Sequence, residues 1–173
     1  MNLALKYPPS YTVRDYESWE GDWELIEGIP YALASPTPLH QRTGAVLIYI
    51  FEKLLETCPE CRVLYETDWY VSETTVVRPD LLIYCGELTE KIEDTPKLVA
   101  EIVSPSSVER DEKLKFELYE REGVDYYLLV YPEKRQLKVY KLTPNGYRRE
   151  KEKIELNGCQ IPLEKLKGVW SRI

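Results

Sequence analysis

The stretch Leu98-Val99-Ala100-Glu101-Ile102-Val103 is an almost continuous apolar run that contains a single carboxylate. A run of this kind predicts a central strand that is buried on both faces of a sheet. Burying a carboxylate without a partner is costly, so Glu101 needs either a shifted pKa or a partner. The stretch therefore predicts the middle of the fold together with a residue that packing alone does not explain.

A second acid is placed in a similar way. Asp80 follows Pro79 and opens the apolar run 81–83, so it would meet Glu101 if the two strands are neighbours and could bind one cation with it. Each acid has a simpler alternative, because Asp80 could cap a turn and Glu101 could pair with Arg78 or with a helical lysine. Taken together, the two acids favour a divalent-metal site.

The rest of the pattern predicts an α/β fold. It has a central mixed sheet flanked by helices, with hairpins at both ends, in one domain over residues 1–173. Apolar spacing predicts a long helix at 39–56, a second at 107–122 that ends before Gly123, and a short one at 12–19. Strands are predicted at 23–26, 29–34, 62–66, 69–72, 76–78, 81–84, 98–103, 126–131, 137–142 and 147–151. An irregular lead-in runs to Ser10, and a short tail surrounds Ile161 and Leu163.

Composition limits the classes of function. The chain has 173 residues and a formal net charge of −7, which argues against a simple basic coat for nucleic acid. An acidic enzyme can still act on phosphate through a bound cation, because the ion inverts the local field. No signal peptide or membrane span is evident, so we expect a soluble, cytoplasmic protein.

Four cysteines are present, at positions 58, 61, 85 and 159. Cys58 and Cys61 form a Cys-Pro-Glu-Cys step, but a zinc site would need a second such pair. A redox pair usually lies where a strand enters a helix, whereas this step joins a helix end to a strand. We therefore expect ordinary thiols in a reducing cytosol and rank a cysteine-based metal or redox protein third among the possible functions.

The chain resembles two nested families. Pro79-Asp80 followed by Glu101-Ile102-Val103 resembles the PD-(D/E)XK signature of restriction-endonuclease-like nucleases, although Val103 stands where the signature has a lysine. The more specific resemblance is to the Uma-two family, a group of proteins assigned as endonucleases. Its motifs here are 23–28, the Ser35-Pro36 turn with His40, 78–80, 101–106, then Asp111, Lys115, Tyr119 and Gly123-Val124 before the strand at 126–130.

The resemblance implies a restriction-endonuclease-like core and a metal-dependent endonuclease that hydrolyses DNA. Asp80, Glu101 and the backbone carbonyl of Ile102 would hold the cation, which oxygen ligands predict to be Mg²⁺ or Mn²⁺. The missing lysine would be supplied by Lys115 from the following helix, and Glu24 would be a further acid near the metal. A homodimer is expected, since many such nucleases are dimeric.

Spacing supports a role for Lys115. Asp111, Lys115 and Tyr119 lie at i, i+4 and i+8 and share one helical face, so Lys115 can point at the strand ends while the other two hold it. Lys113 projects to the far side. The alternative for Lys115 is a surface ion pair with Asp111, which spacing alone does not exclude.

Other choices stay open from the sequence. Glu27 competes with Glu24 but falls at a turn, where solvent is the expected environment. His40, the sole histidine, would either contact a phosphate or cap the long helix, and the structural role is slightly favoured. A rival function is a catalytically inactive binding or regulatory module that keeps the nuclease fold.

Overall fold

A computed structural model describes residues 2–173, except for the side chain of Leu5. Its strands are β1 (Trp23–Ile26), β2 (Ile29–Ala32), β3 (Cys61–Tyr65), β4 (Trp69–Ser72), β5 (Thr75–Val77), β6 (Leu81–Cys85), β7 (Leu98–Ile102), β8 (Tyr126–Tyr131), β9 (Gln136–Thr143), β10 (Gly146–Glu150), β11 (Lys153–Leu156) and β12 (Cys159–Pro162).

The helices are α1 (Leu3–Lys6), α2 (Val13–Tyr16), α3 (Pro38–Leu54), α4 (Lys115–Arg121) and α5 (Leu163–Leu166). A π-helical turn (Arg110–Leu114) leads directly into α4, and a 3₁₀ turn (Lys167–Ser171) follows α5. Within residues 2–173, no helix has the length and apolar content needed to cross a membrane.

The central sheet has the strand order β10-β9-β8-β7-β6-β3. Strands β7 and β8 are parallel and the other neighbours are antiparallel, so the predicted mixed sheet is confirmed. All five residues of β7 are buried, as its apolar run predicted. The strand that contains Glu101 therefore lies in the interior, with a paired strand on each side.

Helices cover both faces of this sheet, as predicted. Leu47 and Phe51 of α3 pack in one apolar cluster with Leu98 and Ala100 of β7. On the other face, Tyr119 of α4 packs in a cluster that includes residues 99, 127 and 129. Glu101 alternates with Ala100 along the strand, so its side chain points to the α4 face.

The N-terminal hairpin, β1 and β2, belongs to a second sheet with the order β2-β1-β5-β4. Leu25 of β1 pairs with Val76 of β5, and both residues are fully buried. Strand β5 ends just before Pro79, so this sheet approaches the central sheet at the start of β6. Because β1 lies in this second sheet, Glu24 is buried between the two sheets' ends at the site. The sequence of the β1–β2 hairpin alone does not predict this burial.

Several smaller elements were not predicted, including helix α5 and the 3₁₀ turn after it. Helix α1 lies in the lead-in, where the Asn2 side chain accepts a hydrogen bond from the Ala4 amide and so caps the first turn. Strands β11 and β12 form a hairpin in the tail through the positive-φ residues Asn157 and Gly158. Each segment is short, so its periodicity is too brief to indicate a helix or a strand.

The expectation of four ordinary thiols is wrong for this structure, which pairs Cys58 with Cys159 and Cys61 with Cys85 as disulfides. The register of β3 against β6 places Cys61 directly opposite Cys85. The β11–β12 hairpin folds back to the end of α3 and brings Cys159 to Cys58, across 101 residues of sequence. Neither proximity is visible from spacing along the chain.

Candidate active site

Asp80 and Glu101 come together at the ends of neighbouring strands, as predicted. Leu81 pairs with Ala100 in the β6–β7 ladder, so the same antiparallel register sets Asp80 opposite Glu101. The Asp80 carboxylate accepts a hydrogen bond of 2.7 Å from the Ile102 amide through Oδ2. This bond fixes the carboxylate of residue 80 against the strand that carries Glu101.

Glu101 is 3% exposed, and its Oε1 accepts two hydrogen bonds. The Lys115 ammonium donates one at 3.0 Å and the Tyr119 hydroxyl donates the other at 2.8 Å. Burial raises the pKa of Glu101 well above its ordinary value, and the negative charges of Asp80, Asp111 and Glu24 act in the same direction. Lys115 opposes this rise but does not cancel it.

Lys115 is also 3% exposed and lies between two carboxylates. Its Nζ is 2.8 Å from Glu24 Oε2 and 3.0 Å from Glu101 Oε1. Burial acts to lower the pKa of Lys115, but attraction to these carboxylates and to Asp111 outweighs burial and raises the pKa. The lysine is therefore a fixed positive charge in the interior, and the alternative of a surface pair with Asp111 does not describe it.

The backbone before α4 positions this lysine. Residues 110–114 form a π-helical turn, in which the Lys115 amide donates to the Arg110 carbonyl five residues earlier. Single π turns inside helices are often found at functional sites. Lys113, on the same turn, has a side chain that is 74% exposed and pairs with Glu109, as its predicted outward direction requires.

Glu24 completes the cluster from the second sheet. It is fully buried, and its Oε2 accepts a 2.7 Å hydrogen bond from the Arg78 amide in addition to its contact with Lys115. Its Oε1 is buried and accepts no hydrogen bond within the described part of the chain, although Arg110 Nη1 lies 3.7 Å away. The competing acid Glu27 is exposed at a positive-φ turn and pairs with Arg121, as expected of a solvated residue.

Arg78 does not pair with Glu101. Its guanidinium donates to Asp68 and Asp22, at 2.7 Å in each case. Glu101 instead follows the other simple alternative and pairs with a helical lysine. Within the Arg78-Pro79-Asp80 motif, Arg78 therefore makes structural ion pairs, and Asp80 places a carboxylate at the site.

The roles expected of Asp111 and Tyr119 need correction. The hydroxyl of Tyr119 bonds to Glu101 and not to Lys115, while Asp111 accepts a 2.6 Å hydrogen bond from Ser107. Both residues lie on the buried face with Lys115, so the predicted shared face is confirmed. Burial raises the pKa of Asp111 to about 6, against the opposing effects of Lys115 and Ser107.

His40 neither caps α3 nor lies apart from the site. Thr37 is the N-cap, and its hydroxyl accepts a hydrogen bond from the His40 amide. The His40 ring places Nε2 3.3 Å from Asp80 Oδ1 and Nδ1 3.0 Å from Gln41 Oε1. Burial acts to lower the pKa of His40, but bonding to Asp80 outweighs it and raises the pKa. Residues 40 and 80 also line a cavity of about 210 Å³.

The residues present can be tested for a metal. No group of three or more His, Cys, Asp or Glu side chains among the described residues is spaced to hold an ion. The Lys115 ammonium lies between Glu24 and Glu101 instead. Mg²⁺ commonly uses only one or two protein carboxylates together with water and substrate phosphates. Asp80 and Glu101 satisfy that smaller requirement, and the unpartnered Glu24 Oε1 adds a buried negative atom nearby.

Part of this cluster was missed from the sequence. Nothing along the chain indicates that Tyr119 bonds to Glu101, that His40 meets Asp80, or that Arg110 approaches Glu24 and stacks over Tyr31 at 4.9 Å. The one available signal was the shared helical face of residues 111, 115 and 119, which identified the residues but not their partners.

A mixed sheet with helices on both faces and acids at the ends of two adjacent strands are features of the restriction-endonuclease-like class of α/β folds. Here the lysine comes from the following helix and not from the strand. In agreement, the structure is similar to the crystal structure of a protein from Anabaena variabilis described as "a putative nuclease belonging to DUF820". The TM-score is 0.73 at 14% sequence identity, covering 92% of this chain and 98% of that one. A comparison with curated proteins gives no match.

The chain belongs to the Uma2 family, described as "Putative restriction endonuclease", whose pattern matches residues 13–172. The match includes every residue placed in the cluster above. The resemblance seen in the sequence motifs is therefore confirmed at the level of the family and of the fold.

Proposed function

We propose that the protein is a magnesium-dependent endonuclease that hydrolyses phosphodiester bonds in DNA. The observation that carries the proposal is the Lys115 ammonium, which is buried between Glu24 and Glu101. Asp80 bonds to the amide of Ile102, the residue that follows Glu101. Buried charges of this kind cost stability, and strongly perturbed buried groups cluster at functional sites.

Asp80 and Glu101 are the proposed metal ligands, with the backbone carbonyl of Ile102. The Ile102 amide points to Asp80 and away from β8, and in a strand the carbonyl of the same residue points to the same side. Bound Mg²⁺ would polarise a phosphate oxygen and lower the pKa of a water molecule. Glu24 adds negative charge behind these ligands and orients Lys115.

Lys115 is the proposed group that positions the attacking water and offsets charge on the phosphate. An ammonium has three donors, of which two face Glu24 and Glu101. The third donor remains for water or for a phosphate oxygen. Because its carboxylate neighbours hold the pKa of Lys115 high, the residue acts as a fixed charge and not as a general base.

The test is a supercoiled-plasmid nicking assay with Mg²⁺ or Mn²⁺ and with EDTA. Wild type should nick only with metal, and Asp80→Asn, Glu101→Gln and Lys115→Met should each reduce the rate by at least about 100-fold, the range for a preorganised electrostatic group. Lys113→Met is the matched control, because it removes an exposed lysine from the same turn. Nicking that persists in all three site variants would refute the site.

A second candidate is an inactive nuclease-fold module that binds or regulates. The pairing of Glu101 with Lys115 favours it, because the two charges already compensate one another without an ion. Calorimetric titration with Mg²⁺ and Mn²⁺ separates the two functions. Binding that Glu101→Gln abolishes supports the endonuclease, and no binding to wild type supports the inactive module.

A further inference from the structure

The positive charge of this acidic protein is concentrated in one segment. Residues 134–151 contain seven lysines and arginines and one acidic residue, Glu150. The whole chain has 23 basic and 30 acidic residues, so the remainder carries 16 basic against 29 acidic. The segment is therefore +6 and the rest of the protein −13. It forms β9, β10 and their flanks at one edge of the central sheet.

These positive charges are not neutralised within the protein. Among residues 2–173, none of the seven basic side chains of the segment forms an ion pair with a carboxylate. Three of them lie over aromatic rings instead: Lys138 and Lys134 are 5.0 Å and 5.7 Å from the Tyr131 ring centroid, and Arg149 is 5.6 Å from that of Tyr140. Basic groups interleaved with aromatic rings suit contact with nucleic acid.

The ladders place part of this charge on the face of the sheet that carries the site. Glu101 pairs with Leu129 of β8, and Leu129 pairs with Lys138 of β9, so the three side chains point to one face. Strands are about 4.8 Å apart, which puts Lys138 about 10 Å from Glu101 across the sheet. Tyr131 also donates a 2.8 Å hydrogen bond to Glu112, on the π turn that holds Asp111.

The same ladders divide the hairpin into two faces that each carry one lysine and one arginine, while Glu150, opposite Val139, lies on the face away from the site. Arg149 pairs with Tyr140 and shares the face of Lys138, because alternate residues of a strand point the same way. Lys141 pairs with Arg148 and points to the opposite face. We name Lys134, Lys138 and Arg149 the site-face strip.

We propose that the site-face strip binds the phosphodiester backbone of DNA beside the phosphate held by Asp80, Glu101 and Lys115. This inference rests on the proposed endonuclease function. One DNA strand advances about 3.4 Å per nucleotide, so a contact about 10 Å from Glu101 falls roughly three nucleotides from the reacting phosphate. The strip would supply the attraction that a net charge of −7 otherwise denies.

Charge on an edge strand has another use, because it discourages edge-to-edge pairing of sheets. That use requires charge on the edge but does not distinguish one face of the hairpin from the other. It also predicts no dependence of nucleic-acid affinity on these residues. Comparing DNA affinity after substitutions on each face of the hairpin therefore distinguishes DNA binding from protection of the edge strand.

The test measures binding of a labelled 20-bp DNA duplex by fluorescence anisotropy in EDTA, where cleavage does not contribute. Lys138→Gln/Arg149→Gln is compared with Lys141→Gln/Arg148→Gln, since each variant removes one lysine and one arginine. The site-face variant should bind about tenfold more weakly, and the slope of log K against log salt should fall by about 1.8, or 0.9 for each lost phosphate contact. The opposite-face variant should match wild type.

Equal effects of the two double variants, or no DNA binding by wild type, would overturn the inference. So would a variant-dependent change in oligomeric state by light scattering without a change in DNA affinity, which would assign the strip to contact between copies of the chain. Thermal melting confirms that both variants fold. Face-specific binding without any nicking would support the strip while the endonuclease proposal fails, so the two failures are distinguishable.

Discussion

At the scale of residues, one ammonium lies among several buried carboxylates. Glu24, Glu101 and Asp111 are each at most 3% exposed, and Lys115 is the buried cation that they share. Ionised carboxylates in excess of their counter-ions are unfavourable in the interior. We therefore expect the cluster to destabilise the folded protein when no cation is bound, by an amount that depends on pH.

Asp111→Asn should stabilise the metal-free protein near neutral pH. Burial raises the folded pKa of Asp111 to about 6 from an ordinary value of 3.8, so the folded state favours the protonated acid. The stability associated with that proton is complete below pH 4 and is lost as pH rises through 6. Wild type should lose about 2–3 kcal/mol relative to the variant between pH 4 and pH 7.5, at 1.36 kcal/mol per pKa unit, because part of the full effect is already lost at pH 4.

Urea unfolding in EDTA at several pH values measures this difference. Asp94→Asn is the matched control, because it makes the same change at an exposed aspartate. A difference between wild type and Asp111→Asn that stays constant from pH 4 to 7.5 would contradict the prediction.

At the scale of elements, helix α3 approaches β7 closely at a glycine. Gly44 is buried, and a Cβ at this position would lie 3.3 Å from Ile102 Cδ1. Helix interiors disfavour glycine relative to alanine by about 1 kcal/mol, so packing and not propensity explains it here. The contact also sets α3 near Ile102, whose amide holds Asp80.

Gly44→Leu should destabilise the protein by about 1–3 kcal/mol, because the side chain forces α3 away from β7. Ala45→Leu should cost less than about 0.5 kcal/mol, since residue 45 is the next along the helix but is exposed. Urea unfolding compares the two variants directly. Equal stabilities would show that the approach of α3 to β7 is not limited by space at residue 44.

At the scale of the whole molecule, the disulfides join distant parts of the chain. The Cys58–Cys159 bond closes a loop of about 100 residues and ties the β11–β12 hairpin to the end of α3. The Cys61–Cys85 bond links two adjacent strands over 24 residues. Cross-links stabilise mainly by restricting the unfolded chain, and the longer loop should contribute more.

Reduction should therefore lower the stability of the oxidised protein. We expect Cys58→Ala/Cys159→Ala to cost about 4 kcal/mol without reductant, and Cys61→Ala/Cys85→Ala about 3 kcal/mol. Adding dithiothreitol should make wild type approach the variants in urea unfolding. Thiol labelling of the unfolded, unreduced protein should find no free cysteine, and four labelled cysteines would contradict the pairing.

Two expectations for the whole molecule stay predictions. A single domain over residues 1–173 and a homodimer both follow from length and from resemblance. Light scattering of the purified protein tests the dimer.

How far the sequence predicts the site depends on the kind of interaction. Asp80 and Glu101 could be identified because a charge inside an apolar run, or at its start, leaves a local trace. Helical spacing left two roles open for Lys115, and the family resemblance favoured the one at the site. The contacts of Glu24 with Lys115 and of His40 with Asp80 leave no such trace, because each joins segments that are far apart in the chain. The predicted roles of Asp111 and Tyr119 were wrong in their bonding partners for the same reason.

By itself the sequence determined the central strand, the two covering helices, the mixed α/β class and the residues of the acid and lysine pattern. Hydrophobic periodicity and turn chemistry are local properties, so they are present in the chain before it folds. Only the tertiary structure decided that β1 joins a second sheet, which cysteines pair, and that Lys115 lies between Glu24 and Glu101. Those outcomes depend on strand register and on packing between distant segments, which no local pattern contains.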